Sequence, residues 1–206
     1  MITIIKPGYA KIMRLFYKEQ SVRLHLREIA RRTNLHEPSV TRFLNELEKE
    51  GILKAQKDAN LKKYTIQKNK KTYAVFELFD IEKQEKLPSM RKRALTYYQK
   101  NLPEQPIFIV LFGSTAKETY KEDSDIDVLL VVNKKIATEH AEKYVDAQTG
   151  IRISSFQIVF KEFLKEIKLN EDKVVGSALA TGYPLTNHLF YYEVLYSRKN
   201  IISINS

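Results

Sequence analysis

The chain has 206 residues, no cysteine and no tryptophan, and 43% of its residues are hydrophobic while 29% are charged. This composition is typical of a globular protein, and the lack of cysteine excludes a disulfide framework and a thiolate zinc site. The longest apolar runs, at residues 107–112 and 128–132, are far shorter than the ~20 residues that a membrane helix needs. Since no apolar segment with a small-residue cleavage site opens the chain, we predict no signal peptide and a cytoplasmic location.

The net charge of +10 lies in the first third of the chain. Residues 1–71 hold 17 lysines and arginines against 7 acidic residues, whereas residues 72–206 hold 18 of each kind. A basic module is therefore joined to a neutral one, and this asymmetry indicates a polyanionic partner for the basic part. A solvated lysine-rich surface explains the charge alone equally well, so sequence motifs are needed to distinguish it from a nucleic-acid-binding surface.

Hydrophobic spacing in the basic module predicts three helices, one short strand and a hairpin. In chain order, the helices cover residues 8–20, 27–33 and 37–51, and the strands cover residues 21–26, 52–55 and 63–66. The third helix ends at Gly51, which suits the left-handed conformation that closes many helices. The two strands of the hairpin flank a polar loop at residues 56–60.

Two short helices joined by a tight turn and followed by a basic hairpin form a winged helix-turn-helix. The stretch LREIARRTNLHEPSVTRFLNELEKEGILK resembles that family as found in prokaryotic regulators, and the resemblance covers Tyr9–Ile66. It implies contact with double-stranded DNA, with the third helix reaching base edges or phosphates and the wing reaching the backbone. The candidate DNA-binding residues are Ser39, Thr41, Arg42, Asn45, Lys57, Lys62 and Lys63. A domain used only for docking or dimerisation is the alternative.

A connector joins the two modules. Residues 68–101 predict a linking helix, a break at Leu87-Pro88 and a second helix. We place a winged helix-turn-helix domain at 1–68, a linker helix at 69–88 and the remaining domain at 89–206. The linker helix carries Phe76 and Phe79, which are expected to pack or to dimerise, and paired DNA half-sites also suggest a homodimer.

The neutral module contains the motif that carries chemistry. Ile107–Phe112 predicts a buried strand, and Gly113-Ser114 follows at once. After ten residues, of which 115–120 are expected to form a short helix, Asp125-Ile126-Asp127 leads into a second apolar strand.

Each element of this motif has a chemical reason. Gly113 lets the backbone approach a phosphate closely, and Ser114 adds a hydroxyl donor. Residues two apart on a strand face the same side, so Asp125 and Asp127 present two carboxylates together. Hard oxygen ligands beside a phosphate-binding turn predict a site for Mg²⁺ or Mn²⁺ and a nucleotide.

The string FGSTAKETYKEDSDIDVLLVV resembles the DNA polymerase β-like nucleotidyltransferases, and especially the minimal members from archaea and bacteria. The resemblance covers Arg91–Phe160. It implies an α+β protein in which a winged helix-turn-helix precedes an α/β nucleotidyltransferase domain with a mixed sheet. It also implies transfer of a nucleoside monophosphate from an NTP to a hydroxyl, with Asp125 and Asp127 as catalytic metal ligands and Gly113 and Ser114 on the nucleotide.

One feature departs from that family pattern. The family usually supplies a third carboxylate from a later strand, here residues 151–160, which contain no acidic residue. We expect Ser155 or Gln157 in that place, with Asp146 and Glu162 as weak substitutes. The alternatives are a DNA-binding regulator whose nucleotidyltransferase domain senses nucleotide or is inactive, and an antitoxin-like role.

Overall fold

The computed structural model describes the backbone of residues 5–202 and the side chains of residues 5–196. The chain divides into two compact units, Met1–Glu82 and Lys83–Ser206. The boundary between them lies inside one helix, near its C-terminal end. Within the described residues, every helix is too short or too polar for the hydrocarbon core of a bilayer.

The first unit contains the predicted three helices and hairpin. In chain order its elements are α1 (Pro7–Lys18), β1 (Leu24–His25), α2 (Leu26–Thr33), α3 (Glu37–Lys49), β2 (Leu53–Asp58), β3 (Leu61–Ile66) and α4 (Lys70–Lys86). The strands form an antiparallel sheet in the order β1-β3-β2. The predicted strand at 21–26 shrinks to two residues, and the predicted loop at 56–60 is wrong, because β2 continues to Asp58 and only Ala59-Asn60 make the turn.

Helix α3 forms because its apolar residues recur on one face and a proline stands at its first turn, where no backbone N–H partner is lost. Val40, Leu44 and Leu47 are buried, which turns the opposite face of the helix outward. The helix ends before Gly51, whose φ of +70° supplies the left-handed residue that the sequence predicts there.

Helix α4 packs within the first unit over most of its length. Phe76 and Phe79 are 0% and 1% exposed, and each meets the edge of the Tyr17 ring at centroid distances of 5.2 and 5.4 Å. The Tyr17 hydroxyl also donates to Asp80, and Arg14 pairs with Glu82. Of the two roles predicted for Phe76 and Phe79, the structure shows packing, since the chain itself covers them and leaves them no dimer surface.

The second unit contains a four-stranded mixed sheet with helices on both faces. After the end of α4, its elements are α5 (Ser89–Asn101), β4 (Phe108–Phe112), α6 (Gly113–Ala116), β5 (Ile126–Val132), α7 (Glu139–Thr149), β6 (Ile153–Val159), α8 (Phe160–Leu169), α9 (Lys173–Thr181), β7 (Tyr183–Pro184) and α10 (His188–Ile202). The strand order is β6-β5-β4-β7, with β5 and β6 parallel and the other pairs antiparallel. This confirms the mixed sheet.

The two faces of this sheet have different partners. One face carries Ile126, Val128 and Leu130, which join a buried cluster with Ala94 of α5 and Ala141 of α7. Because side chains alternate along a strand, Asp127 and Leu129 lie on the other face. There the buried Phe108 ring contacts Phe163 of α8 and Tyr191 of α10. The motif carboxylates thus belong to the sheet face that α8 and α10 partly cover.

Candidate functional site

The turn after β4 differs from its sequence prediction. The short helix expected over residues 115–120 is wrong: α6 is a single turn that begins at Gly113 itself. Gly113 has φ +68°, a left-handed conformation that glycine adopts without steric cost. The chain therefore bends sharply at the glycine, and the backbone of this bend faces β5.

Gly113 lies directly against Asp127. Phe112 and Asp127 are paired across β4 and β5, which brings the bend next to the carboxylate. A Cβ atom built on Gly113 would stand 2.1 Å from Asp127 Oδ2 and 3.0 Å from its Cγ. Any larger residue would displace this carboxylate, so glycine is required here both for its φ and for space.

The two aspartates of the motif face the same side, as predicted. Both are half-buried, while Ile126 between them is fully buried in the core. Burial raises the pKa of Asp127, and the negative charge of Asp125 raises it further. The second cause shows that the two carboxylates are close enough to repel each other. A cation between them would relieve that repulsion.

The register of β6 places a different residue beside this pair from the two predicted. Asp127 is opposite Ser154, and the Ser154 hydroxyl donates to Asp125 Oδ2 at 3.2 Å. Ser155 and Gln157 are on the other face, because Ser155 pairs with Val128 of the core in the strand register. The expectation that Ser155 or Gln157 takes the third position is therefore wrong.

Ser155 and Gln157 form hydrogen bonds on the other face of the sheet, which explains why strand β6 has polar residues at these positions. The Ser155 hydroxyl donates to the Glu142 carboxylate and shares a hydrogen bond of 3.1 Å with the Thr138 hydroxyl, and Gln157 exchanges two hydrogen bonds with the backbone of Ile136. They tie β6 to the segment before α7 and to α7 itself. Of the weak acidic substitutes, Asp146 is exposed on α7, at the opposite face, and Glu162 is exposed on α8; in the described part of the chain neither forms a three-residue metal-binding group with the two aspartates.

Arg152, which the sequence prediction did not single out, supplies a positive charge to the site. Its Nε atom lies 3.0 Å from Asp125 Oδ1, and its side chain is 69% exposed. Its carbonyl also accepts a hydrogen bond from the Ile126 N–H at 2.9 Å, which holds the start of β6 beside the motif. An arginine at the start of an otherwise uncharged strand was the only signal for it in the sequence.

The donor set fits one divalent ion. Hard cations such as Mg²⁺ prefer carboxylate and hydroxyl oxygens and keep several waters, and here Asp125, Asp127 and Ser154 offer such oxygens on one face. Among residues 5–196 no cluster of three or more acidic, histidine or cysteine side chains is arranged to hold a metal. The set therefore suits one ion with open positions.

Arg91 is a second residue that the sequence did not reveal, and it holds the two halves of the motif together. It is 3% exposed, and its guanidinium donates to Thr115 Oγ1 at 3.0 Å and to the carbonyls of Lys121 and Ser124 at 3.0 and 2.9 Å. It also stacks over the Tyr120 ring at 4.0 Å. Arg91 thus fixes the turn after Ser114 and the loop that ends just before Asp125. It lies on α5, outside the motif, where no local pattern points to it.

A cleft of about 380 Å³ lies on the same sheet face as Asp127. Leu129, Phe156 and Ile158 contribute apolar surface, and Lys135 and Lys165 stand among the residues that line it. Phe156 is 39% exposed and its ring contacts Phe112, the residue before the glycine bend. A ligand larger than a metal ion has room on this face.

The first unit presents the predicted recognition residues on one helix. Thr41, Arg42 and Asn45 are exposed on α3, and Ser39 is half-buried. The Thr41 hydroxyl donates to the Glu37 carbonyl at 2.9 Å, so its donor is already used within the helix. Arg42 stacks over the Phe43 ring at 5.1 Å, which leaves its guanidinium hydrogens available.

The three wing lysines are not equivalent. Lys57 and Lys62 stand directly opposite each other across β2 and β3, an arrangement of like charges that costs stability. Lys62 relieves this by pairing with Glu48 at 2.9 Å, and Lys63 pairs with Asp58 at 2.8 Å and lowers the pKa of that carboxyl. Within residues 5–196, Lys57 has no acidic partner, so its charge is the most available of the three.

The fold and these two sites together define a nucleotidyltransferase domain preceded by a helix-turn-helix DNA-binding domain. Comparison with family models agrees: residues 91–179 match the nucleotidyltransferase domain, and residues 10–57 match the IclR helix-turn-helix domain. The chain therefore carries both domains. The two matches begin close to where the sequence resemblances begin, at Arg91 and Tyr9.

Comparisons with whole proteins add little. A search of curated proteins gave no match. Among solved structures, one described as "Structure of TrmBL2, an archaeal chromatin protein, shows a novel mode of DNA binding" is 16% identical, with 79% of this chain and 75% of that chain covered. Its TM-score is 0.24, and a likeness at that level carries no argument about function.

Proposed function

We propose that this protein binds double-stranded DNA through its first unit and uses its second unit to transfer a nucleoside monophosphate from an NTP to a hydroxyl acceptor. The observation that carries the proposal for the second unit is the contact between the Gly113 bend and Asp127, with Asp125 on the same face. A backbone bend free of side chain beside two carboxylates suits a metal-bound triphosphate.

Each site residue has a role in this proposal. Asp125 and Asp127 would hold Mg²⁺ or Mn²⁺, with Ser154 as a neutral neighbour. When bound, the ion neutralises phosphate charge and lowers the pKa of an attacking hydroxyl. Gly113 allows the backbone to approach the β- and γ-phosphates, and the Ser114 hydroxyl donates to their oxygens. Arg91 is a positioning residue that keeps these two groups in register.

The reaction balances without any further co-reactant. The acceptor oxygen forms a bond to the α-phosphorus, the bond from that phosphorus to the bridging oxygen breaks, and pyrophosphate leaves. The hydroxyl proton is released to water, because the β6 residue opposite Asp127 is Ser154, where the family pattern has a third carboxylate. We therefore expect transfer to be slow.

The test uses ATP, CTP, GTP and UTP, each labelled at the α-phosphate, with Mg²⁺ and candidate protein, nucleic-acid and small-molecule acceptors. Labelled acceptor and released pyrophosphate are the expected products. The matched control carries Asp125→Ala and Asp127→Ala, which remove both carboxylates. Transfer by the wild type that does not exceed transfer by this variant would refute the enzymatic proposal.

The presence of Ser154 beside Asp127 also favours a second function. Because Ser154 stands there and Arg152 pairs with Asp125, the site is better equipped to bind a nucleotide than to activate an acceptor. In this alternative, nucleotide is a signal and the protein is a DNA-binding regulator. It predicts nucleotide binding without transfer, together with a change in DNA affinity when nucleotide is added, measured by fluorescence anisotropy.

The DNA proposal rests on the basic first unit and its α3 face. Lys57, Arg42 and Asn45 are exposed on the elements that a winged helix applies to DNA, and phosphate contacts of this kind weaken steeply with salt. Anisotropy titrations at several salt concentrations test this directly. A homodimer stays a prediction from paired half-sites, and light scattering on the protein with and without DNA tests it.

A further inference from the structure

Both oxygens of the Asp125 carboxylate are already engaged, by Arg152 just before β6 and by Ser154 within it. Oδ1 lies 3.0 Å from Arg152 Nε, and Oδ2 accepts from the Ser154 hydroxyl at 3.2 Å. A metal ion approaching Asp125 therefore meets a resident cation. Asp127 differs from Asp125, because its pKa is raised and it has no basic partner within residues 5–196.

Arg152 is held only loosely. Its side chain is 69% exposed and that of Asp125 is 35% exposed, and ion pairs this accessible to water are weak. Its backbone is fixed, since its carbonyl bonds the Ile126 N–H, so the guanidinium can swing without moving the strand. The closest approach of the guanidinium to Asp125 is through Nε.

We propose that Arg152 is a resident counter-ion that a divalent metal displaces from Asp125, after which its guanidinium binds the phosphates of the incoming nucleotide. The planar fork of arginine suits phosphate oxygens, and the triphosphate would arrive beside Asp125 and Asp127. This inference rests on the proposed function of that site. It gives one side chain two successive partners, one in the free protein and one in the complex.

Because Arg152 has these two roles, we expect Arg152→Gln to raise the affinity for metal and to lower the affinity for nucleotide. Mn²⁺ alone binds more tightly, by about threefold to fivefold, because the competing cation is gone. The α,β-methylene analogues of ATP, CTP, GTP and UTP, which cannot transfer, bind about tenfold more weakly with Mn²⁺ present, because a charged hydrogen bond to phosphate is lost. If Arg152 only stabilised the fold, the substitution would weaken the binding of both Mn²⁺ and the analogues, or of neither.

The experiment measures Mn²⁺ by the electron paramagnetic resonance of the free ion, and the analogues by calorimetry. Lys143→Gln removes one positive charge from an exposed position on α7, at the opposite face of the sheet, and is the matched control. Arg152→Lys keeps the charge and loses the fork. It is expected to bind Mn²⁺ as the wild type does and to lose part of the analogue affinity.

The outcomes separate this inference from the proposed function. If the wild type binds Mn²⁺ and the Asp125→Ala, Asp127→Ala variant does not, while Arg152→Gln matches the wild type in both titrations, the Arg152 inference is wrong and the metal site stands. If the wild type binds neither Mn²⁺ nor any analogue, the proposed function fails and the inference fails with it. Circular dichroism of each variant checks the fold, and Arg152→Lys provides a second reading if Arg152→Gln unfolds.

Discussion

Replacing Gly113 by alanine tests the closest approach in the candidate site. The change adds one methyl group at a position with φ +68°, where that group would stand 2.1 Å from Asp127 Oδ2. Two costs follow. The left-handed backbone is strained for any residue with a Cβ, and the Asp127 carboxylate must rotate away from the bend.

The two costs differ in size and in what they affect. The backbone term is about 1–2 kcal/mol of unfolding free energy. Turning the Asp127 side chain out of its preferred conformation adds about 0.5–1.5 kcal/mol. Because the rotated carboxylate no longer faces the same point as Asp125, we expect Mn²⁺ affinity to fall by about tenfold or more, which corresponds to at least about 1.4 kcal/mol.

Gly150 provides a matched control in the same unit. It has φ +66°, and a Cβ built on it meets nothing within 4 Å. Gly150→Ala should therefore lower the free energy of unfolding through backbone strain alone, without a steric clash. Its Mn²⁺ affinity should equal that of the wild type. Urea unfolding followed by circular dichroism gives the stabilities, and electron paramagnetic resonance gives the metal affinity. Equal Mn²⁺ binding by Gly113→Ala and Gly150→Ala would refute the placement of the metal against this bend.

Three further predictions concern the other charged groups. The pKa of Asp127 is raised, so the folded chain binds the carboxyl proton of this residue more tightly than the unfolded chain does. Ionised Asp127 therefore lowers the free energy of unfolding at neutral pH, and this cost vanishes as the pH falls below the ordinary pKa of 3.8. Asp127→Asn should therefore raise the urea midpoint at pH 7 without metal, with a gain that shrinks towards pH 3.8; a lower midpoint at pH 7 would contradict this. Arg91→Met leaves three oxygen acceptors without their donor and should lower the unfolding free energy by about 2–4 kcal/mol, with Arg91→Lys about half as costly. A loss below about 1 kcal/mol, or unchanged hydrogen exchange in residues 117–124, would count against its positioning role. Lys57→Gln should weaken DNA binding and reduce the slope of log affinity against log salt by about one, whereas Lys63→Gln, whose charge already pairs with Asp58, should change that slope less. Equal slopes for the two variants would show that the ion pair does not decide which lysine meets DNA.

Local patterns were sufficient for most of the elements and for the central motif. The apolar run before Gly113 and the run after Asp127 predict two buried strands, and both exist within a residue or two of their predicted starts. The alternation of Asp125, Ile126 and Asp127 places the carboxylates on one side and the isoleucine in the core. Such inferences succeed because they depend on backbone periodicity, which neighbouring residues determine.

The errors arise where neighbours along the chain do not decide the outcome. The predicted helix at residues 115–120 is one turn at Gly113–Ala116, because Arg91 from another helix bonds the segment that follows. The hairpin strands are longer than predicted, because cross-strand hydrogen bonds extend the ladder through polar residues as far as Asp58. The apolar side of α4 serves the core of its own unit, although the same pattern would suit a dimer.

The sequence by itself determined the two-module composition, the position of the positive charge and the pair of carboxylates after the glycine bend, since each is written in consecutive residues. Only the tertiary structure decided which residue of β6 stands beside Asp127. A strand has two faces, and a shift of one residue in its register exchanges them, so Ser154 and Arg152 could not be told from Ser155 and Gln157 by pattern alone. The same holds for Arg91, whose role depends on a fold that brings α5 against a loop thirty residues away.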